Sequence, residues 1–173
     1  MIETARLKII PCDMAHIEAL EQSEQALADL LRVKIGEGWL HFPEVIAYVR
    51  KTLEKDPEAG SWGMQFFIHK PDNTLIGTGG YKGAADAEGM VELGYSIAPG
   101  YQRQGLAAEA ARGLMDHAFA QPNVQMVDAH TLAEWNPSTK ILRKLGMTKI
   151  AEKNDPEDGD IWQWRILREE YDK

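Results

Sequence analysis

The chain has 173 residues, a formal net charge of −8 and one cysteine. That length suits one substantial core and is short for two, so a single domain over residues 1–173 is expected. The acidic balance disfavours a nucleic-acid backbone as a direct partner and suits a cationic one, the lone Cys12 excludes an internal disulfide, and no apolar run reaches the length a bilayer demands.

Leu7 to Ile10 reads as a short strand closed by Pro11, with Asp13 placed to cap the helix that follows. Ile17, Leu20, Leu27, Leu30 and Leu31 supply apolar helical faces, and a break between two helices falls near Glu21. Gly36-Glu37-Gly38 interrupts the pattern. Trp39, Leu40 and Phe42 then occupy a loop before Pro43, which suits the first turn of a helix running to about Leu53. Aromatics in such a loop form either the wall of a substrate cavity or a satellite core. Trp62 to His69 is a strongly apolar strand, Lys70 to Asn73 a turn and Leu75 to Tyr81 the return strand. Gly77, Gly79 and Gly80 thin that strand, as a bulge, a ligand's close approach or close helix packing would require. The Gly83–Gly89 loop leads to a third antiparallel strand, Met90 to Ile97.

Within that strand Val91, Leu93, Tyr95 and Ile97 alternate with Glu92, Gly94 and Ser96, the period of a strand with one packed face. From Ala107 the period becomes helical: Ala107, Ala110, Ala111, Leu114 and Ala118 line one side. Gln102 to Ala107 therefore places free backbone N–H groups at a helix start, where a phosphate can bind; an ordinary strand-to-helix turn has the same appearance. After Pro122-Asn123, Val124 to Leu132 is a further strand, with Val127, Ala129 and Thr131 on one face and Asp128, His130 and Leu132 on the other. Strand, helix, strand predicts that these two strands run parallel. Asn136 and Pro137 suit the N-cap and first position of a short helix to about Lys144, ended by Gly146. Met147 to Glu152 and Ile161 to Leu167 form a terminal hairpin around an acidic turn that lacks the length and closing Glu of a calcium loop. No His, Cys or Asp spacing supports a metal site.

A carboxylate on a central strand is rarely buried without a reason. Glu92 is a general base, an anchor for an ammonium, or the partner of a cation on a covering helix. His130, on the neighbouring strand, is a competing base or a hydrogen-bonded core histidine.

Gln102-x-x-Gly105-x-Ala107 resembles the signature with which the GNAT acyltransferase superfamily cradles the pyrophosphate of acetyl-coenzyme A. Glu92-Leu93-Gly94-Tyr95, Gly105 to Ala110, and Asn136-Pro137-Ser138-Thr139 through Leu145-Gly146-Met147 are similar to its Rim-type branch, which includes acetyltransferases of ribosomal-protein amino termini. Two departures stand out: Ala107 replaces a frequent Gly, and Thr139 replaces the usual Ser. The resemblance covers essentially the whole chain and implies an α/β (α+β) fold, a mixed, mostly antiparallel sheet with a central parallel pair flanked by helices. It implies that acetyl-CoA is the cosubstrate, held by Gln102, Arg103, Gln104, Gly105, Leu106, Ala107 and Ala108 at the pyrophosphate. Backbone of Ser96, Ile97 and Ala98, with Asn136, would hold the pantetheine arm, and Arg103 reads equally as a solvated residue. No Tyr stands between Asn136 and Gly146, so thiolate protonation would fall to Thr139, Ser138 or water, and Tyr95 is expected to pack.

The implied reaction is direct acetyl transfer to a primary amine, either a peptide or protein N-terminus or a small molecule. Trp39, Phe42, Glu92, His130 and Trp135 are the candidate acceptor contacts. The alternative is an acyl-CoA-binding sensor or partner protein on the same fold, without transfer. With no signal-peptide pattern ahead of the first strand, the cytoplasm is the expected location. A homodimer is compatible with the resemblance, and no metal, membrane or direct nucleic-acid partner is expected.

Overall fold

A computed structural model describes residues 1–171 of the chain. Its elements, in order, are β1 (Ile2–Glu3), β2 (Leu7–Pro11), α1 (Met14–Gln22), α2 (Glu24–Leu31), β3 (Lys34–Ile35), α3 (Val45–Lys55), β4 (Met64–His69), β5 (Thr74–Tyr81) and β6 (Met90–Ile97). There follow α4 (Leu106–Phe119), β7 (Met126–Leu132), α5 (Pro137–Lys144), β8 (Thr148–Asp155), β9 (Gly159–Leu167) and a final turn, α6 (Arg168–Tyr171). Nine strands form one sheet in the order β1-β2-β4-β5-β6-β7-β9-β8, with β3 added parallel to β5. Every other neighbouring pair is antiparallel except β6 and β7, which are parallel as the crossover predicts. The α/β (α+β) expectation with a central parallel pair holds.

Local chemistry explains the boundaries. Asp13 accepts from the His16 N–H and the His16 ring accepts from the Asp13 N–H, a reciprocal cap for α1. Ser23 ends α1 and begins α2, its hydroxyl accepting from the Ala26 N–H, so the break lies two residues beyond Glu21. The helix expected from Pro43 starts at Val45, and the strand expected from Trp62 starts at Met64, because Pro57–Trp62 coils into a 3₁₀ segment. The two-residue strands β1 and β3 carry too short a pattern to be read from sequence. Leu30, expected on an apolar face, is exposed.

Two cores lie on opposite faces of the sheet. Under α4 and α5, Val91, Leu93, Ile97, Val127, Ala129, Trp164 and Ile166 meet Leu106, Ala110, Ala111, Leu114 and Leu142. Fully burying a side chain such as Leu114 contributes about 2 kcal/mol. Beneath α1, α2 and α3, Phe66, Ile68, Leu75 and Ala98 meet Ile17, Leu27, Val49 and Leu53. The glycines of β5 stand tightly against neighbouring backbone and the Phe67 ring. A Cβ on Gly77 would stand 2.1 Å from the Ser96 carbonyl oxygen, beside a register shift between Phe67 and Ile68.

Candidate active site

The β6–β7 ladder is short. It pairs Met90, Val91 and Glu92 with Met126, Val127 and Asp128 and then stops. Beyond it β6 stays with β5 and β7 with β9, so a slot opens between Leu93–Ile97 and Ala129–Leu132. The Ala98 N–H donates to Ile76 O (2.7 Å), which turns that amide toward β5. Backbone groups alternate sides along a strand, so the N–H groups of Tyr95 and Ile97 face the slot and those of Ser96 and Ala98 do not. This corrects the expectation for Ser96 and Ala98 by one residue.

The slot leads to the loop before α4. Gln102 is tied down twice: its N–H donates to Pro99 O (3.3 Å) and its side-chain amide to Ile97 O (2.9 Å). Its side-chain amide is thereby engaged in ordering the loop. From Arg103 to Ala108 the backbone N–H groups donate to no acceptor among the described residues. Arg103 (φ 60°) and Gly105 (φ 78°) both adopt left-handed backbone, and Gly105 serves as the N-cap of α4 without a side-chain bond. Leu106 turns its side chain into the core, while Ala107 and Ala108 are half-buried. Arg103 and Gln104 are exposed, and the Gln104 amide donates to Gly100 O (3.2 Å).

Glu92 projects from the face opposite α4, where α1–α3 cover only the far half of the sheet. Its Oε1 forms an ion pair with Lys82 Nζ (2.5 Å) and lies 2.9 Å from His130 Nδ1. Lys82 carries no sign of this pairing in the linear sequence. It follows β5 directly and its N–H donates to Glu92 O (2.9 Å), a register no linear pattern reveals. The cation paired with Glu92 therefore comes from the adjoining strand end instead of a covering helix. Next on this face, the buried Asp128 accepts from Arg165 Nε (2.7 Å) and Nη2 (2.8 Å) and from Gln163 Nε2 (2.6 Å). The β8–β9 turn also reaches this region. Backbone N–H groups of Asp158 and Glu157 hold the Asp155 carboxyl below its usual range, and the charge of Lys82 adds to the effect.

The short helix α5 begins as its sequence requires. Asn136 Oδ1 accepts from the Thr139 N–H (3.0 Å), and the Thr139 hydroxyl accepts from the Asn136 N–H (3.0 Å) and donates to Asn136 O (2.8 Å). The single hydroxyl proton of Thr139 is thus engaged and the side chain is 0% exposed, so it offers no proton to a thiolate. Tyr95 packs as expected, but its buried hydroxyl has no hydrogen-bond partner. Burial pushes that phenol up to about 12, against a smaller opposite influence from the nearby Ser138 hydroxyl.

Residues 6–148 match the model of the acetyltransferase (GNAT) domain family. The chain belongs to the GNAT acetyltransferase family. It is 30% identical over 149 residues to YjdG, an uncharacterised N-acetyltransferase of Bacillus subtilis, covering 84% of this chain and 88% of the relative. Its fold is similar to that of a GNAT-family acetyltransferase from Bacillus anthracis, with TM-score 0.68, 22% identity and coverage of 98% of this chain and 99% of that one. It is also similar in fold to a dodecameric spermidine N-acetyltransferase from Vibrio cholerae, with TM-score 0.70, 16% identity and 97% of each chain covered. The ribosomal-protein α-N-acetyltransferase RimL, solved with coenzyme A, superposes with TM-score 0.68, 16% identity and 95% of each chain covered.

GNAT enzymes use acetyl-CoA, and the loop fits it. The free N–H groups of Arg103 to Ala108 stand at the start of a 14-residue helix, the kind of donor run a diphosphate can take. The candidate acceptor aromatics divide. Trp39 is a correction: it is 1% exposed in the α1–α3 core, its indole N–H donating to Glu24 Oε1 (2.8 Å), so it presents no wall to a substrate. Phe42 is 56% exposed against His41, and Trp135 is 62% exposed between Trp162 and the Arg143 guanidinium. No cluster of His, Cys, Asp and Glu among the described residues has metal-binding geometry, and no helix among them is long and apolar enough to cross a membrane.

Proposed function

We propose that this GNAT domain, a single domain over the whole chain, moves the acetyl group of acetyl-CoA directly onto a primary amine. The observation that carries the reading is the run of unpartnered N–H donors from Arg103 to Ala108, adjoining a slot with the Glu92 carboxylate at its lip. When bound, acetyl-CoA supplies an activated acetyl thioester. Arg103 to Ala108 would hold its diphosphate, and the slot-facing N–H groups of Tyr95 and Ile97 would hold the pantetheine arm and polarise the acetyl carbonyl. Asn136, at the head of α5, would border the same arm. An amine attacks only as the free base, so the acceptor's ammonium proton must leave. With His130 Nδ1 donating to Glu92, the neutral ring keeps Nε2 as its lone pair, and the Glu92–His130 pair is the proton acceptor of this reading. Ser138 or water returns a proton to the departing thiolate, Thr139 being committed to its cap.

Acceptor selection falls to the open polar face, Phe42 and Trp135. The chain's acidic balance favours a cationic acceptor, and an α-amine, with a pKa of about 8 against about 10.4 for a lysine side chain, offers far more free base near neutrality. We favour an α-amine, of a peptide or a small molecule, in the manner of the Rim-type branch, acting in the cytoplasm. A thiol-release screen with acetyl-CoA and short peptides, amino acids, polyamines and aminoglycosides, with mass detection of products, tests this. Acetylated α-amines are expected. Binding of acetyl-CoA with no release of coenzyme A across the panel would make the chain a sensor, and products confined to lysine side chains or hydroxyls would overturn the α-amine preference.

A further inference from the structure

Behind the diphosphate loop, residues from the start of the chain converge on α4. The Glu109 carboxylate accepts from Thr4 Oγ1 (2.6 Å), from the Arg6 N–H (2.6 Å) and from Arg6 Nε (2.7 Å). Partial burial opposes its charge, and the hydrogen bonds from Thr4 and Arg6 overcome that opposition, holding the carboxyl below its usual range. The same guanidinium donates through Nη1 to the Gln104 carbonyl (2.9 Å). Its Nη2 lies 3.5 Å from the place where a Cβ on Gly105 would stand.

An ion pair this open to water contributes little to stability on its own. What it fixes is direction. In a planar trans peptide the C=O and N–H point opposite ways. Holding the Gln104 carbonyl against Arg6 therefore turns the Gly105 N–H to the side away from Arg6. That N–H belongs to the run without an internal acceptor. Gln104 stands between two left-handed residues, Arg103 and Gly105, and no strand or helix ladder holds its carbonyl. We propose that Arg6, oriented by Glu109, is a positioning residue that sets the Gln104–Gly105 peptide for the diphosphate of coenzyme A. This inference rests on the acetyl-CoA reading above. Arg6 acts through the loop and needs no contact with the ligand.

Calorimetry with coenzyme A on the wild type, R6Q, R6K, E109Q and the R6Q/E109Q double variant tests it, with circular dichroism verifying folding. One misdirected donor to a charged group corresponds to about tenfold in affinity. R6Q and E109Q should each weaken coenzyme A by about that factor, and the double variant by much less than their product. R6K should stay weak, because one ammonium cannot serve Glu109 and the Gln104 carbonyl as the guanidinium fork does. In kinetics the loss should fall on the KM for acetyl-CoA, with kcat/KM for acetylpantetheine, which has no diphosphate, changing less than twofold. In the ligand-free protein, the Gly105 amide ¹⁵N resonance should shift or broaden in R6Q. A wild type that fails to bind coenzyme A overturns the acetyl-CoA reading itself. If the wild type binds, then affinity within twofold in folded R6Q, full rescue by R6K, equal losses with acetylpantetheine, or an unmoved Gly105 resonance each overturns the brace.

Discussion

Replacing Thr139 separates a cap from a catalyst. Valine copies the shape of threonine but removes the hydroxyl, leaving the Asn136 N–H and carbonyl without the partners they have at 3.0 and 2.8 Å. Losing a hydrogen bond of this kind costs about 1 kcal/mol, and an orphaned, half-buried N–H adds about another. The expected destabilisation of T139V is about 2 kcal/mol, or ~4–8 °C in Tm for a chain of this size. Serine keeps both hydrogen bonds and loses one fully buried methyl, about 1 kcal/mol, or ~2–4 °C. Thermal melts followed by circular dichroism measure these shifts. Thiol release is then assayed well below either midpoint with an amine identified by the screen. If the hydroxyl only caps α5, kcat stays within about threefold in both variants. A proton donor to the thiolate would instead cost T139V about a hundredfold or more and spare T139S. That result, with a Tm unchanged in T139V, would refute the assignment of Thr139 to the cap.

Gly105→Ala places a Cβ in nearly open space, so its cost is the left-handed backbone, about 1 kcal/mol. A fall in Tm of ~2–4 °C is expected by differential scanning calorimetry, whereas G105D, which sets a carboxylate at the donor run, should severely weaken coenzyme A binding measured on the folded protein. E92Q should leave coenzyme A affinity within about twofold while lowering kcat/KM for the amine. In its pH–rate profile, loss of the acidic limb marks Glu92 as part of the proton acceptor, and a raised amine KM with the limb intact marks an anchor. Glu109 sets a pH dependence of known sign. Its folded-state pKa lies below its ordinary value of 4.5, so the stability it confers is complete above that value and is lost as pH falls through the folded one. The Tm gap between wild type and E109Q, measured from neutral pH downward, should therefore narrow in acid; a constant gap would contradict the pairing.

The elements that the sequence defines well are those whose signals are local. The alternation from Val91 to Ile97, the helical period after Ala107 and the Asn136-Pro137 cap each depend on neighbours a few residues away, and β6, α4 and α5 stand where those patterns put them. The parallel β6–β7 pair follows from the chirality of crossovers and the length of the connection. The loop carrying the donor run was legible for the same reason: a glycine before a helix leaves the first N–H groups free wherever it occurs. Long-range register decided the rest. Glu92 alone offered three readings, and only the pairing of β5 with β6 places Lys82 against it, as the pairing of β6 with β7 brings His130. Trp39 stood equally for a cavity wall and a core residue until α2 supplied Glu24 to its indole N–H, because burial is a property of what packs over a residue and not of the residue. Arg6 and Glu109 carry no mutual signal in the chain; they meet because β2 runs beside the start of α4. Sequence by itself determined the order and kind of the elements and where free backbone N–H groups stand at a helix start, since capping and periodicity are short-range. Which charges face one another across the slot and behind the loop is decided by the tertiary structure, since strand register and helix docking set distances that no local pattern encodes.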